Sequence, residues 1–99
     1  MKPVVVRPAA EEDIEAAYLW YEGRQAHLGN EFLFAIRSAL SQVSQYPEAH
    51  SIVDSDVRRV VVPRFPYGIF YRVYHGTVYV IACMHGRRDP ERWRSRILG

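Results

Sequence analysis

Two runs of strand-forming residues, Tyr67 to Tyr74 and Thr77 to Met84, flank the dipeptide His75-Gly76. A two-residue link of that kind closes a β-hairpin. Both strands carry apolar residues on each side: Ile69, Tyr71 and Val73 with Phe70 and Tyr74, then Tyr79, Ile81 and Cys83 with Val78, Val80 and Ala82. A strand apolar on both faces belongs in the middle of a sheet with something packed over each face. The rest of the chain must supply that cover, or leave an aromatic surface for a partner.

The other segments fall around this hairpin. Val57 to Val62 is a third strand-forming run, broken by Pro63-Arg64-Phe65-Pro66. Val4-Val5-Val6 is β-branched and reads as a first strand. Pro8-Ala9-Ala10-Glu11-Glu12-Asp13 reads as a helix start, because acidic residues in a first turn favour the macrodipole. Ile14, Ala17, Tyr18 and Tyr21 continue it as one apolar stripe. Gly29-Asn30 is expected to mark a break. A second helix should follow, with Phe32, Leu33, Ile36, Ala39, Leu40 and Val43 on one wide face. Tyr46-Pro47 stops it, since the residue before proline is pushed out of the helical region. Two helices with a short link pack as an antiparallel hairpin, which covers one face of the sheet. Asp89-Pro90 supplies a cap and first position for a last helix. The expected fold is therefore α+β: an N-terminal strand, an antiparallel two-helix hairpin packed on an antiparallel β-sheet, and a short C-terminal helix. No repeat or linker divides it, so residues 1–99 are expected to form a single domain.

Charge is distributed unevenly. Residues 1–56 carry four basic groups against nine acidic ones, a net of −5, and residues 57–99 carry nine arginines against Asp89 and Glu91, a net of +7. Twelve of the thirteen basic residues are arginine, whose planar fork suits carboxylate and phosphate. A split of this size points to a surface for a polyanion or an acidic partner. No run approaches the ~18 apolar residues of a membrane span, and the N-terminus lacks a signal-peptide pattern. The single cysteine, Cys83, excludes an internal disulfide. Together these lead to the expectation of a cytoplasmic protein.

Taken in order, these segments resemble the RelE/ParE superfamily of bacterial type II toxin–antitoxin systems, and the ParE branch more than the RelE branch. The resemblance runs from the helix start at Pro8 to Ile14 through Leu28-Gly29-Asn30-Glu31-Phe32-Leu33, Tyr46-Pro47 and Val57-Arg58-Arg59. It continues through Phe65-Pro66-Tyr67-Gly68-Ile69-Phe70-Tyr71 and His85-Gly86-Arg87-Arg88-Asp89-Pro90 to Trp93. It implies a plasmid-stabilisation toxin neutralised by a cognate antitoxin from an adjacent gene. It implies one of two targets: DNA gyrase, blocked by binding, or the ribosome, on which RelE-like members cut messenger RNA without a metal.

RNA cleavage needs a base, an acid and cations for the developing charge on phosphorus. The nuclease branch is marked by Tyr-Arg-x-x-Tyr, and the matching stretch Tyr67 to Tyr71 has Gly68 in the arginine's place. That branch's paired lysines resemble Arg59 and Val61, and its late tyrosine resembles Trp93, which has no phenol. The resemblance therefore leans toward a gyrase inhibitor that is not an enzyme. Were the chain a nuclease, His85, Arg59 and Arg88 would be its catalytic residues. Histidine is the residue type most often used as acid or base, which makes His85 the candidate, though the favoured reading is a hydrogen-bonded strand-end residue that shapes the following turn. Candidate residues for binding target or antitoxin are Arg58, Arg59, Arg72, Arg87, Arg88, Arg92 and Trp93. Arg58 and Arg59 must point to opposite faces of their strand, and one could instead pair internally with Asp13 or Glu22. Tyr18, Trp20 and Tyr21 read as core and rim packing of the first helix. His27, His50 and His75 have no metal-ligand companion, Cys83 reads as an inert core thiol, and neither metal nor cofactor is expected. A third possibility is a toxin that has lost its activity and persists as a binding module.

Overall fold

The computed structural model describes residues 1–86 and 90–98. In chain order the elements are β1 (Val4–Val6), α1 (Pro8–Arg24), α2 (Leu28–Gln45), β2 (Ile52–Asp54), β3 (Val57–Val61), β4 (Tyr67–Tyr74), β5 (Thr77–His85) and α3 (Pro90–Leu98). The strands form one sheet in the order β1-β5-β4-β3-β2. All neighbours are antiparallel except β1, which runs parallel to β5. The expected α+β architecture is the observed one.

The β4–β5 hairpin lies at the centre of the sheet, as its two apolar faces require. His75 and Gly76 both take positive φ, 49° and 76°, the backbone shape of a two-residue turn whose twist matches its strands. The register advances by one residue between Phe70 and Tyr71, which pair with Ala82 and Val80. Ile81 is therefore the bulged residue.

α1 and α2 cover one face. Ala10, Ala17, Phe32, Ala35, Ile36, Ala39 and Val43 are buried against Val60, Ile69, Tyr71, Val78, Val80 and Cys83. Burying side chains of this size supplies most of the stability of so short a chain. The expected break at Gly29-Asn30 does not occur, because α2 already begins at Leu28. The Glu22 carboxylate reaches across from α1 and accepts the amides of His27 (2.9 Å) and Gly29 (2.9 Å). Those are donors that the first turn of α2 would otherwise leave unmet. Glycine is needed at 29 for another reason: a Cβ there would lie 2.7 Å from the Tyr18 ring.

The opposite face has its own cover. Val57, Phe70 and Ala82 are buried there, with Val53, Ile81, Met84 and Trp93 packed around them. Trp93 of α3 stacks on Phe70 at 5.0 Å between ring centroids and 18° between planes. The far face was expected to await a partner or stay open. Instead α3 covers one part of it, and Val61 and Tyr74 remain exposed on the rest. The edge strand β2 was not anticipated, and Asp89, the expected cap of α3, lies outside the described residues. Among the described residues no helix is long and apolar enough to cross a membrane.

Candidate functional site

Side-chain alternation sorts the candidate residues between the two faces. Arg59 pairs in register with Phe70 and lies on the α3 face. Its aliphatic stem runs over Gly68: a Cβ on that glycine would be 2.9 Å from Arg59 Cδ. Arg72 is on the same face and makes an ion pair with Asp56 at 3.1 Å. Trp93 completes this group through its stack on Phe70, with the Arg94 guanidinium 5.1 Å from the Trp93 ring centroid.

Arg58 points the other way. It donates to the carbonyls of His50 (2.6 Å) and Glu48 (3.1 Å), while the buried Tyr71 phenol donates to Pro47 O (2.6 Å). These bonds fasten the loop between α2 and β2 to the sheet. The anticipated pairing of Arg58 or Arg59 with Asp13 or Glu22 is absent, because other groups take both carboxylates. Glu22 caps α2, and Asp13 belongs to Arg96.

The Asp13–Arg96 pair follows from the sheet's asymmetry. β1 pairs with β5 only at Val78 to Val80, so the outer edge of β5 beyond that point has no strand beside it. Side chains close the gap. Asp13 accepts the Cys83 amide (3.0 Å), Arg96 donates to Ile81 O (3.1 Å), and the two side chains bond each other at 3.0 and 3.2 Å. An extended partner strand is thereby replaced by one residue from α1 and one from α3. Sequence reading places Arg96 in a cationic C-terminal end with Arg92 and Arg94 but does not pair it with Asp13, which is 83 positions away.

A cleft of about 530 Å³ opens between α1, the ends of β4 and β5, and α3. His85, Tyr67, Tyr21, Trp20 and Arg92 line it, with Trp93 at its α3 side. The His85 and Tyr67 rings meet edge-to-face at 5.6 Å. Burial, with the Tyr67 phenol beside it, raises the pKa of the Tyr21 phenol. Trp20 lies at the exposed rim of α1, edge-on to Tyr21 at 5.0 Å, with the Arg24 guanidinium 4.4 Å from its ring centroid. The spacing of Trp20 and Arg24 by one helical turn was the signal for this contact.

His85 and Arg92 thus share the cleft, whereas Arg59 lies on the α3 face of the sheet and does not line it. Arg87 and Arg88 lie outside the described residues. Burial, reinforced by the Asp13 charge, pushes the Cys83 thiol up to about 12, which keeps it protonated at neutral pH. Among the described residues no group of three His, Cys, Asp or Glu side chains could hold a metal ion.

Comparison with known proteins agrees with this architecture. Residues 4–90 match the family described as ParE toxin of type II toxin-antitoxin system, parDE. Among solved structures the fold is similar to a chain of the chromosomal ParDE TA system from P. aeruginosa. That match has a TM-score of 0.63 at 18% identity and covers 86% of this chain and 96% of that one. It is also similar to the isolated E. coli RelE toxin, with a TM-score of 0.59 at 14% identity over 96% of this chain and 95% of that one. None of the curated protein sequences matches the chain. At such identities the two structures speak for the fold, and the family match over most of the chain speaks for descent: this protein belongs to the ParE toxin family of type II toxin–antitoxin systems.

Proposed function

We propose that the protein acts in the cytoplasm by binding, as an inhibitor of DNA gyrase held in check by its cognate antitoxin. One observation carries this reading: Arg59 and His85 lie on opposite sides of the sheet. The neighbours of Arg59 on its own face, Phe70 in register and the Gly68 backbone under its stem, move no proton. Cationic and aromatic side chains on a sheet face suit a protein interface better than a cleavage site. Supercoiling by purified gyrase tests the reading. Inhibition should appear with this protein and vanish when antitoxin is added first. Full supercoiling activity at a large excess of toxin would sink it.

The cleft supports a second reading, a RelE-like endoribonuclease acting on messenger RNA at the ribosome. Tyr67, His85 and Arg92 together offer a phenol, an imidazole and a guanidinium, the group types such cleavage uses. In this reading His85→Ala abolishes growth arrest in cells, and undiminished toxicity of that variant rules it out.

A further inference from the structure

The part of the far face that α3 leaves open holds a second concavity, separate from the cleft. It is an open groove of about 690 Å³, lined by Arg7 from the β1–α1 junction, Arg72 and Tyr74 from β4, Tyr79 and Ile81 from β5, and Arg96 from α3. Three guanidiniums thus border an aromatic floor, and no carboxylate is among the groove's lining residues.

The three arginines are in different states. Arg96 is committed to Asp13 and Ile81 O, both part-buried contacts. Arg72 is held by an ion pair whose side chains are 35% and 65% exposed, so water competes for both partners and an incoming anion can replace Asp56. The Arg7 guanidinium is exposed and has no partner among the described residues. Two cations are therefore available to a ligand and one is fixed as part of the wall. Tyr74 is 62% exposed, an amphipathic ring with its apolar body open to contact.

We propose that this groove is the docking site for an acidic segment of the antitoxin, with carboxylates on Arg7 and Arg72 and an apolar side chain against Tyr74, Tyr79 and Ile81. The proposal rests on the reading of the chain as a toxin with a cognate antitoxin. A peptide fits better than a nucleic acid strand because the groove combines a few cations with an aromatic and aliphatic lining. A phosphodiester is charged at every link and wants a continuous row of cations. Two available arginines beside an apolar floor match a segment in which acidic and apolar residues alternate.

The test uses the full chain and the small protein encoded by the adjacent reading frame, with binding followed by fluorescence anisotropy of the labelled partner. Arg7→Glu reverses one charge at an exposed position at the start of α1, where a carboxylate also suits the helix dipole. It should leave thermal unfolding unchanged and weaken binding by about tenfold or more. Tyr74→Ala should weaken it about fivefold. Arg37→Glu, the same charge change at an exposed position on α2, controls for long-range attraction and should shift affinity by less than about threefold. Wild-type affinity in both Arg7→Glu and Tyr74→Ala overturns the proposal, as does an Arg37→Glu loss as large as that of Arg7→Glu. A fluorescein-labelled uridine dodecamer forms a second arm. If Arg7→Glu abolishes its binding while leaving the protein partner's intact, the groove is a nucleic-acid site and the proposal fails. If the wild-type chain does not bind the adjacent protein at all, the antitoxin reading beneath the proposal is what falls.

Discussion

The Asp13 carboxylate ties together three elements, α1, β5 and α3. Its sequence context announced only half of this. Acidic residues at a helix start were legible as dipole complements, and Asp13 was even named as a possible arginine partner. Yet the arginine chosen was Arg58 or Arg59, because local order favours a partner in the sheet. The true partner is set by where β1 stops, and strand length at a sheet edge leaves no mark on the residues 70 positions away. Removing the carboxylate takes the acceptor from the Cys83 amide and the ion-pair partner from Arg96, which keeps its bond to Ile81 O. Asp13→Ala should therefore cost about 2–4 kcal/mol, a fall in Tm of roughly 10–20 °C for a domain of this size. Arg96→Met should cost less, since Asp13 keeps its bond to the Cys83 amide. Thermal unfolding by circular dichroism decides the order, and a costlier Arg96→Met would contradict the account.

Element boundaries divided along the same physical line. The β4–β5 hairpin, the stop at Tyr46-Pro47 and the start at Pro8 were legible because each rests on a local rule of turn geometry or proline sterics. The false break at Gly29-Asn30 came from treating glycine as punctuation when it serves close approach. The short edge strand β2 was missed because three residues carry too little pattern. Two glycines now separate the roles. At Gly29 a methyl group meets the Tyr18 ring and the Glu22 carboxylate, so Gly29→Ala should destabilise the α1–α2 hairpin by about 1–3 kcal/mol. At Gly23, inside α1, a Cβ meets nothing within 4 Å. Gly23→Ala should stabilise by about 0.5–1 kcal/mol through lower unfolded-state entropy. Urea midpoints for the two variants should move in opposite directions. Movement of both in one direction would show that helix propensity alone governs these sites.

Across the whole molecule, the acidic first half and basic second half of the chain become two layers, helices on one side and arginine-bearing sheet with α3 on the other. The candidate surface was legible at this scale, since the arginine clustering and the aromatic strands located it on the far face. Its division was not. Only the bulge at Ile81 and the position of α3 split that face into a covered part and an open groove. The core also predicts an alkaline limit to stability. Cys83 and Tyr71 both have folded pKa values raised to about 12, mainly by burial, with the Arg58 charge opposing the rise at Tyr71. Both groups are neutral when protonated. Their contribution is present in full below the unfolded values, 9.0 and 10.0, and is lost as pH climbs toward 12. Unfolding free energy should be flat from pH 7 to 8 and fall by about 2–4 kcal/mol between pH 9 and pH 11. Cys83→Ala should flatten the onset of that fall. A variant that declines as steeply as the wild type would exonerate the thiol.

The empty space above Gly68 is occupied by the stem of Arg59, and so the two residues form a tenant and its room. A residue without charge decides where a charge can rest. Any uncharged side chain at 68 would displace the arginine stem while leaving the protein's net charge untouched. The position and the presence of a cation on this face can therefore be varied independently. Relatives that differ only at this site would present a different electrostatic surface from an identical set of arginines.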